Sequence, residues 1–240
     1  MPPGDRMMDS LPTPAPRAAE DRDTGVAAVD RALSILGAFR EGERALTLAQ
    51  LAGRTGLYKS TILRLLASLE RQRCAQRLPD GRWALGPMLF RWGSLYGRAR
   101  LEEAHLPAAL EALARETGET ATYWVRQGEA RLCLMRVRGA SPIRDDLNPG
   151  DLLPLPAGAG GRLLSAPDPR GLGTVATFGE RNPETAGIAA PVFGADGTLA
   201  GAIAVSGPRA RLEARAAALQ AVVTDAAERL TRRLGGDLAP

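Results

Sequence analysis

The chain has 240 residues, enough for one large domain or two small ones that each bury a core. Its 45% hydrophobic and 24% charged residues are ordinary for a globular protein, and no apolar run approaches the roughly 18–20 residues that a bilayer-spanning helix needs. The net charge of +4 is unevenly placed: residues 26–105 carry thirteen basic against seven acidic side chains while 106–240 balance, so one end suits a polyanion, although a solvated Arg-rich surface accounts for the same charge.

Residues 1–25 are Pro-rich and acidic (Pro2, Pro3, Pro12, Pro14, Pro16) and lack the basic and apolar regions of a signal peptide, so a disordered tail is expected. Next, Val29, Ala32, Leu33, Leu36 and Phe39 recur at helical spacing over Ala27 to Phe39. Thr47 with Gln50 three residues on reads as a capping box opening a short helix, which stops at Arg54-Thr55-Gly56, where glycine permits a left-handed turn. A second helix runs from about Lys59 to Gln72 with Ile62, Leu65, Leu66 and Leu69 on its buried side. Its other side shows Lys59, Ser60, Thr61, Arg64, Ser68 and Arg71, groups that hydrogen-bond phosphates or base edges. Two helices joined by a glycine turn, the second led by polar residues, make a helix-turn-helix; a plain helical hairpin with a polar outer face is the alternative. Asp80-Gly81 between two short extended runs then predicts a hairpin wing, with Arg77 and Arg82 flanking its tip and Trp83 packing it to the helices.

The run from Thr47 to Glu70, preceded by Ala28 to Leu36 and followed by Leu85-Gly86, resembles the DNA-binding domain of IclR-type transcriptional regulators. Ala189 to Phe193 and Val205 to Pro208 resemble two signatures of that family's ligand domain. The resemblance runs from about residue 26 to 235 and implies double-stranded DNA with a palindromic operator as partner. It also implies a small-molecule effector and a homo-oligomer, a dimer or dimer of dimers. DNA contact is expected from Tyr58, Lys59, Ser60, Thr61, Arg64, Arg77 and Arg82. Tyr58 stands where the family usually has proline and Leu63 where it often has a polar residue, so the target sequence differs rather than the act of binding.

The expected organisation is a winged helix-turn-helix over 26–86, a linker helix over 87–106, an effector-binding domain over 107–235 and a short tail over 236–240. In the linker, Met88, Trp92, Leu95 and Ala99 form an apolar stripe that pairs two protomers or packs on its own domain; the pattern fits both. Helix Leu106 to Glu116, strands Thr120 to Val125 and Arg131 to Val137, a segment Leu152 to Leu155, and a hairpin of Ile188 to Phe193 with Leu199 to Val205 follow, closed by one long helix over Arg209 to Leu234. This predicts an α+β chain whose antiparallel sheet is covered on one face. The resemblance adds a GAF-like or profilin-like sensor.

Pro156 to Gly161 is glycine-rich and leads into a helix predicted to begin near Arg162. Such a turn is either structural or a backbone anion site. The resemblance places an effector carboxylate at Ala159 and Gly160, and other pocket positions at Thr177, Gly187, Ala204 and Ser206. Threonine, glycine and alanine there, with Pro156 in place of a histidine, remove polar groups, which suggests a larger, more apolar ligand. Between Ser165 and Glu180 the family carries roughly thirty more residues, so an open pocket or a degenerate domain used only for oligomerisation is the alternative. An enzyme is not expected: His105 is the sole histidine, Cys133 lies in an apolar strand, no zinc-ligand spacing occurs, and the glycine turn lacks the Gly-Lys-Ser/Thr end of a phosphate loop. No cofactor, metal or membrane is expected, and the two distant cysteines, Cys74 and Cys133, point to a reduced cytoplasmic protein.

Overall fold

The computed structural model describes residues 25–40, 42–97, 105–141 and 147–237. Nearly all of the tail expected over 1–25, the later part of the linker helix and the final residues of the 236–240 tail lie outside them. The described residues form two compact units.

The first unit contains α1 (Ala27–Gly37), α2 (Leu48–Thr55), α3 (Lys59–Arg71), β1 (Ala75–Arg77), β2 (Trp83–Leu85) and α4 (Pro87–Gly97). The capping box forms with both bonds: the Gln50 N–H donates to Thr47 Oγ1 at 3.2 Å and the Thr47 N–H donates to Gln50 Oε1 at 2.8 Å. Gly56 closes α2 in the left-handed region (φ +68°), its N–H returning to the Ala52 carbonyl, and so lets the chain turn sharply into α3. Ile35, Leu46, Leu51, Ile62, Leu66 and Trp83 fill the core. The wing is larger than its hairpin, because Leu46 and Trp83 exchange both backbone hydrogen bonds at 2.8 Å. Gly86 ends the wing against the Arg73-Cys74 backbone that follows α3; a Cβ there would strike the Arg73 carbonyl oxygen. The α1 stripe differs from its simple reading: Ile35 is the residue it buries, while Val29 and Leu33 remain more than half exposed. In α4 no side chain is buried, and Phe90, Trp92, Leu95 and Tyr96 are all exposed.

The second unit contains α5 (Leu106–Thr117), β3 (Thr120–Gln127), β4 (Ala130–Val137), β5 (Leu152–Pro154), α6 (Gly158–Ser165), α7 (Pro169–Leu172), β6 (Val175–Phe178), β7 (Thr185–Phe193), β8 (Leu199–Pro208), α8 (Arg209–Glu213) and α9 (Ala216–Arg233). The six strands form one antiparallel sheet ordered β5-β4-β3-β8-β7-β6. Alternation divides each strand between two faces. Ile188, Val192, Ile203 and Val205 meet α5, α8 and α9, whereas Trp124, Ala189, Ala202 and Ala204 meet Leu163 and Leu164 of α6. Both faces are therefore covered, not one.

Two boundaries move. The closing helix is two helices, broken at Ala214 and Arg215, where Arg215 Nη1 donates to the Thr117 carbonyl at 3.0 Å and turns the chain back over the end of α5. Helix α6 begins at Gly158, not near Arg162, so the glycines are its first turn rather than a loop before it. Among the described residues no helix is long and apolar enough to cross a membrane.

Candidate nucleic-acid interface and ligand pocket

Helix α3 is oriented by what it buries. Ile62 and Leu66 have no exposed surface and Leu65 and Leu69 pack beside them, so the intervening positions point outward. Tyr58 is 84% exposed; Lys59, Ser60, Leu63 and Arg64 are exposed, and Thr61 is half-buried. Among the described residues, Lys59, Ser60, Thr61 and Arg64 share no side-chain hydrogen bond or ion pair, whereas Arg71 donates to Ser68 Oγ at 3.1 Å. Tyr58, at the N-cap position, gives the helix no side-chain cap, so its side chain leaves the first-turn N–H groups unbonded.

The wing's two arginines are not equivalent. Arg77 is exposed and pairs with Trp83 across the hairpin; its backbone N–H donates to Glu70 Oε1 at 3.3 Å. Arg82 donates through Nε to Asp80 Oδ2 at 2.7 Å, and Nη2 lies 2.7 Å from the same oxygen. The Arg82 backbone N–H and then its guanidinium hold the Asp80 carboxyl below the usual carboxylate range, so this cation already has an anion beside it. Arg54, another member of the basic excess, is structural. Its guanidinium grips Glu43 at 2.5 and 2.6 Å and the Ala38 carbonyl at 2.8 Å, which lowers the Glu43 carboxyl to about 2. Trp83 is buried and packs the wing to the helices, as its position predicted.

In the second unit, strand register assembles the pocket. Thr177 pairs with Gly187, Gly187 with Ser206 and Ser206 with Thr120, so one row crosses four strands on the face beneath α6. Ala204, paired with Thr122, lies on the same face two residue pairs further along. Ala159, Gly160, Thr177, Gly187, Ala204 and Ser206, scattered over some fifty residues of sequence, all line one cavity. The Ala159 N–H donates to Thr177 Oγ1 at 3.0 Å, so the protein itself already satisfies that amide. The Trp124 indole N–H donates to Thr122 Oγ1 at 2.8 Å, while Ser206 Oγ is buried with no hydrogen-bond partner among the described residues.

Sequence reasoning missed Arg131. It comes from β4, 5% exposed, and its guanidinium carbon lies 4.5 Å from the centre of the Trp124 ring. A Cβ on Gly160 would sit 2.7 Å from Nη1 and one on Gly158 3.2 Å from Nη2, so the glycines make room for this cation. The available signal was an arginine two residues from Cys133 on a strand face that otherwise reads apolar, which periodicity alone does not connect to a distant glycine turn. The free space is about 40 Å³. A guanidinium in the wall adds charge to a pocket that the lost polar groups alone would make apolar.

The residues weighed for catalysis are not assembled. The Cys133 thiol is pushed up to about 12, chiefly by burial and then by Asp151, which suits a core residue rather than a nucleophile. His105 is exposed in a left-handed conformation (φ +50°) just before α5. Among the described residues no three His, Cys, Asp or Glu side chains cluster as metal ligands.

Comparison with known proteins gives matches along both units. Residues 28–79 match the IclR helix-turn-helix domain, and 169–232 match the bacterial transcriptional regulator IclR C-terminal domain. The HTH-type transcriptional regulator BhcR of Paracoccus denitrificans is 32% identical over 250 aligned positions, covering 89% of this chain and 88% of that protein. The glycerol operon regulatory protein of Streptomyces griseus is 28% identical, covering 88% and 97%. Among solved structures, an IclR transcriptional regulator from Alicyclobacillus acidocaldarius superposes with a TM-score of 0.75 at 22% identity, covering 88% of this chain and all of that one. An IclR homologue from Microbacterium hydrocarbonoxydans, complexed with 4-hydroxybenzoate, gives 0.71 at 20% identity, covering 86% and 98%.

Proposed function

The chain belongs to the IclR family of DNA-binding transcriptional regulators, and on that premise we propose that it reads a palindromic operator as a homo-oligomer under the control of a small carboxylate-bearing metabolite. It is a regulator, not an enzyme. Acting on DNA, it works in the cytoplasm. The observation that carries the reading is the outward side of α3: a polar helix start whose side chains have no bonds to other described residues, flanked by a wing with a basic tip. Lys59, Ser60, Thr61 and Arg64 enter the major groove, Tyr58 lies against the sugar-phosphate, and Arg77 and Arg82 follow the backbone beside it.

A second copy supplies the second half-site. Support comes from Val29 and Leu33 of α1 and Phe90 and Trp92 of α4, apolar side chains left at least half exposed in one chain. The effector sits beneath α6 among Ala159, Gly160, Thr177, Gly187, Ala204 and Ser206. Its support is their convergence on one cavity, together with the ligand held by a homologue of the same fold.

The test is selection of the full-length protein's sites from random-sequence duplexes, repeated at several salt concentrations. The expected result is a palindromic site whose affinity falls steeply with salt. Arg64→Ala relaxes selectivity at one base position by about 1–3 kcal/mol, whereas Arg77→Ala weakens all sequences alike. Equal losses on every duplex from both variants would refute the assignment. Failure of every tested acid to alter operator affinity favours a C-terminal unit used only for oligomerisation.

A further inference from the structure

A helix that selects a DNA site needs side chains that tell one base from another, and one outward residue of α3 has no hydrogen-bonding atom to offer. Leu63 is 45% exposed, the one large apolar side chain of α3 that is exposed among the described residues. Ile62 and Leu66 are buried, and Leu65 and Leu69 are half-buried beside them. Resting on the reading of α3 as the helix that enters the major groove, we infer that Leu63 reads base identity through contact with a thymine 5-methyl group.

Its place on the helix supports this. Residues three and four apart share a side of a helix, so Lys59 and Ser60 lie one turn before Leu63 and Ala67 one turn after it. Those three residues and the adjacent Arg64 are exposed. Leu63 is therefore centred on the outward surface and takes no part in the core that Ile62 and Leu66 fill.

Its surroundings point to the occupant. Lys59 and Arg64 flank the leucine, so a second copy meeting this patch about a two-fold axis would bring like charges together, whereas a polyanion is drawn to it. Among the groups that bases present in the major groove, the thymine methyl is the apolar one, and the rest are hydrogen-bond donors and acceptors. A leucine pressed on a donor or acceptor strips its water and returns no bond, which is unfavourable. Pressed on the methyl, it removes apolar surface from water. The side chain therefore favours thymine over the other three bases at one position of each half-site.

The test uses a site that the full-length protein selects from random-sequence duplexes. Each thymine is replaced in turn by deoxyuridine, which loses the methyl and keeps the base pair. The expected result is one thymine per half-site whose replacement weakens binding roughly fourfold, and about fifteenfold when both half-sites are changed. That ratio holds as salt rises while overall affinity falls, because contact with a methyl releases no counterion. Leu63→Asn, of nearly the same shape, abolishes the penalty at that thymine and shifts preference there towards adenine, whereas Leu63→Met keeps it. Both variants unfold in urea as the wild type does, since the side chain is outside the core. A selective site at which no deoxyuridine weakens binding, or a penalty that survives Leu63→Asn, overturns the role of Leu63 and leaves α3 as the reading helix. No selective site at all removes the reading of α3 and the inference with it.

Discussion

The outer side of α3 and the pocket beneath α6 are built in opposite ways. On α3, Lys59, Ser60, Thr61 and Arg64 make no side-chain bonds to other described residues, and the fold depends only on the helix's inner side. Beneath α6, polar groups lean on one another: Thr177 on the Ala159 amide, Thr122 on the Trp124 indole, Arg131 on the Trp124 ring. A surface that meets an outside partner keeps its donors open and tolerates change, because little else depends on them. A pocket that holds a small ligand is preorganised, so its residues are coupled and single changes propagate.

The sharpest way to break this contrast is on α3 itself. Leu66→Ala removes a fully buried side chain and costs about 2–5 kcal/mol in urea unfolding. Ser60→Ala, a turn and a half away on the outer side, changes stability by less than about 0.5 kcal/mol while still affecting DNA binding. If the two variants unfold alike, the inner and outer sides of α3 are misassigned.

The same contrast explains what the sequence made legible. The helix-turn-helix is local: the Thr47–Gln50 box, the Gly56 turn and the Ile62–Leu66 spacing lie within twenty residues, and all three form. The pocket is not local. Its floor depends on Thr177, Gly187, Ser206 and Thr120 aligning across four strands, and a register is visible only once the sheet is built. Family resemblance supplied six of its lining positions, but Arg131 lies outside those motifs and no periodicity marks it. The break before Arg215 was hidden for a related reason, since the bond that turns the chain runs to Thr117, far away in sequence.

Acid and alkali sharpen the comparison further, because one group in each unit responds at an opposite end of the pH scale. Glu43 in the first unit has its carboxyl lowered to about 2 by Arg54. Its contribution is fully present above the ordinary value of 4.5 and is lost as pH falls toward 2. The ion pair is only partly buried, so solvent screening leaves roughly 1 kcal/mol. Cys133 in the second unit has the reverse sign. Its thiol is raised from 9.0 to about 12, so the unfolded chain ionises first and stability falls as pH rises through that interval. Unfolding profiles should show Glu43→Gln flattening the acid limb alone and Cys133→Ala flattening the alkaline limb alone. A Glu43→Gln protein with an unchanged acid limb would remove the linkage.

The smallest effect probes the one place where the outer surface behaves like the pocket. Arg82 is exposed on the wing yet already paired with Asp80, so part of its charge is spent inside the protein. Arg82→Ala removes the proposed phosphate contact and also leaves Asp80 uncompensated near a polyanion, whereas the double variant Arg82→Ala, Asp80→Ala leaves neither charge. The double variant should therefore bind DNA more tightly than Arg82→Ala alone. Asp80→Ala alone should tighten binding and steepen the dependence on salt by about one counterion. Additive effects in titrations at two salt concentrations would mean that Arg82 meets DNA as freely as Arg77, and that Asp80 has no part in setting the grip of the wing.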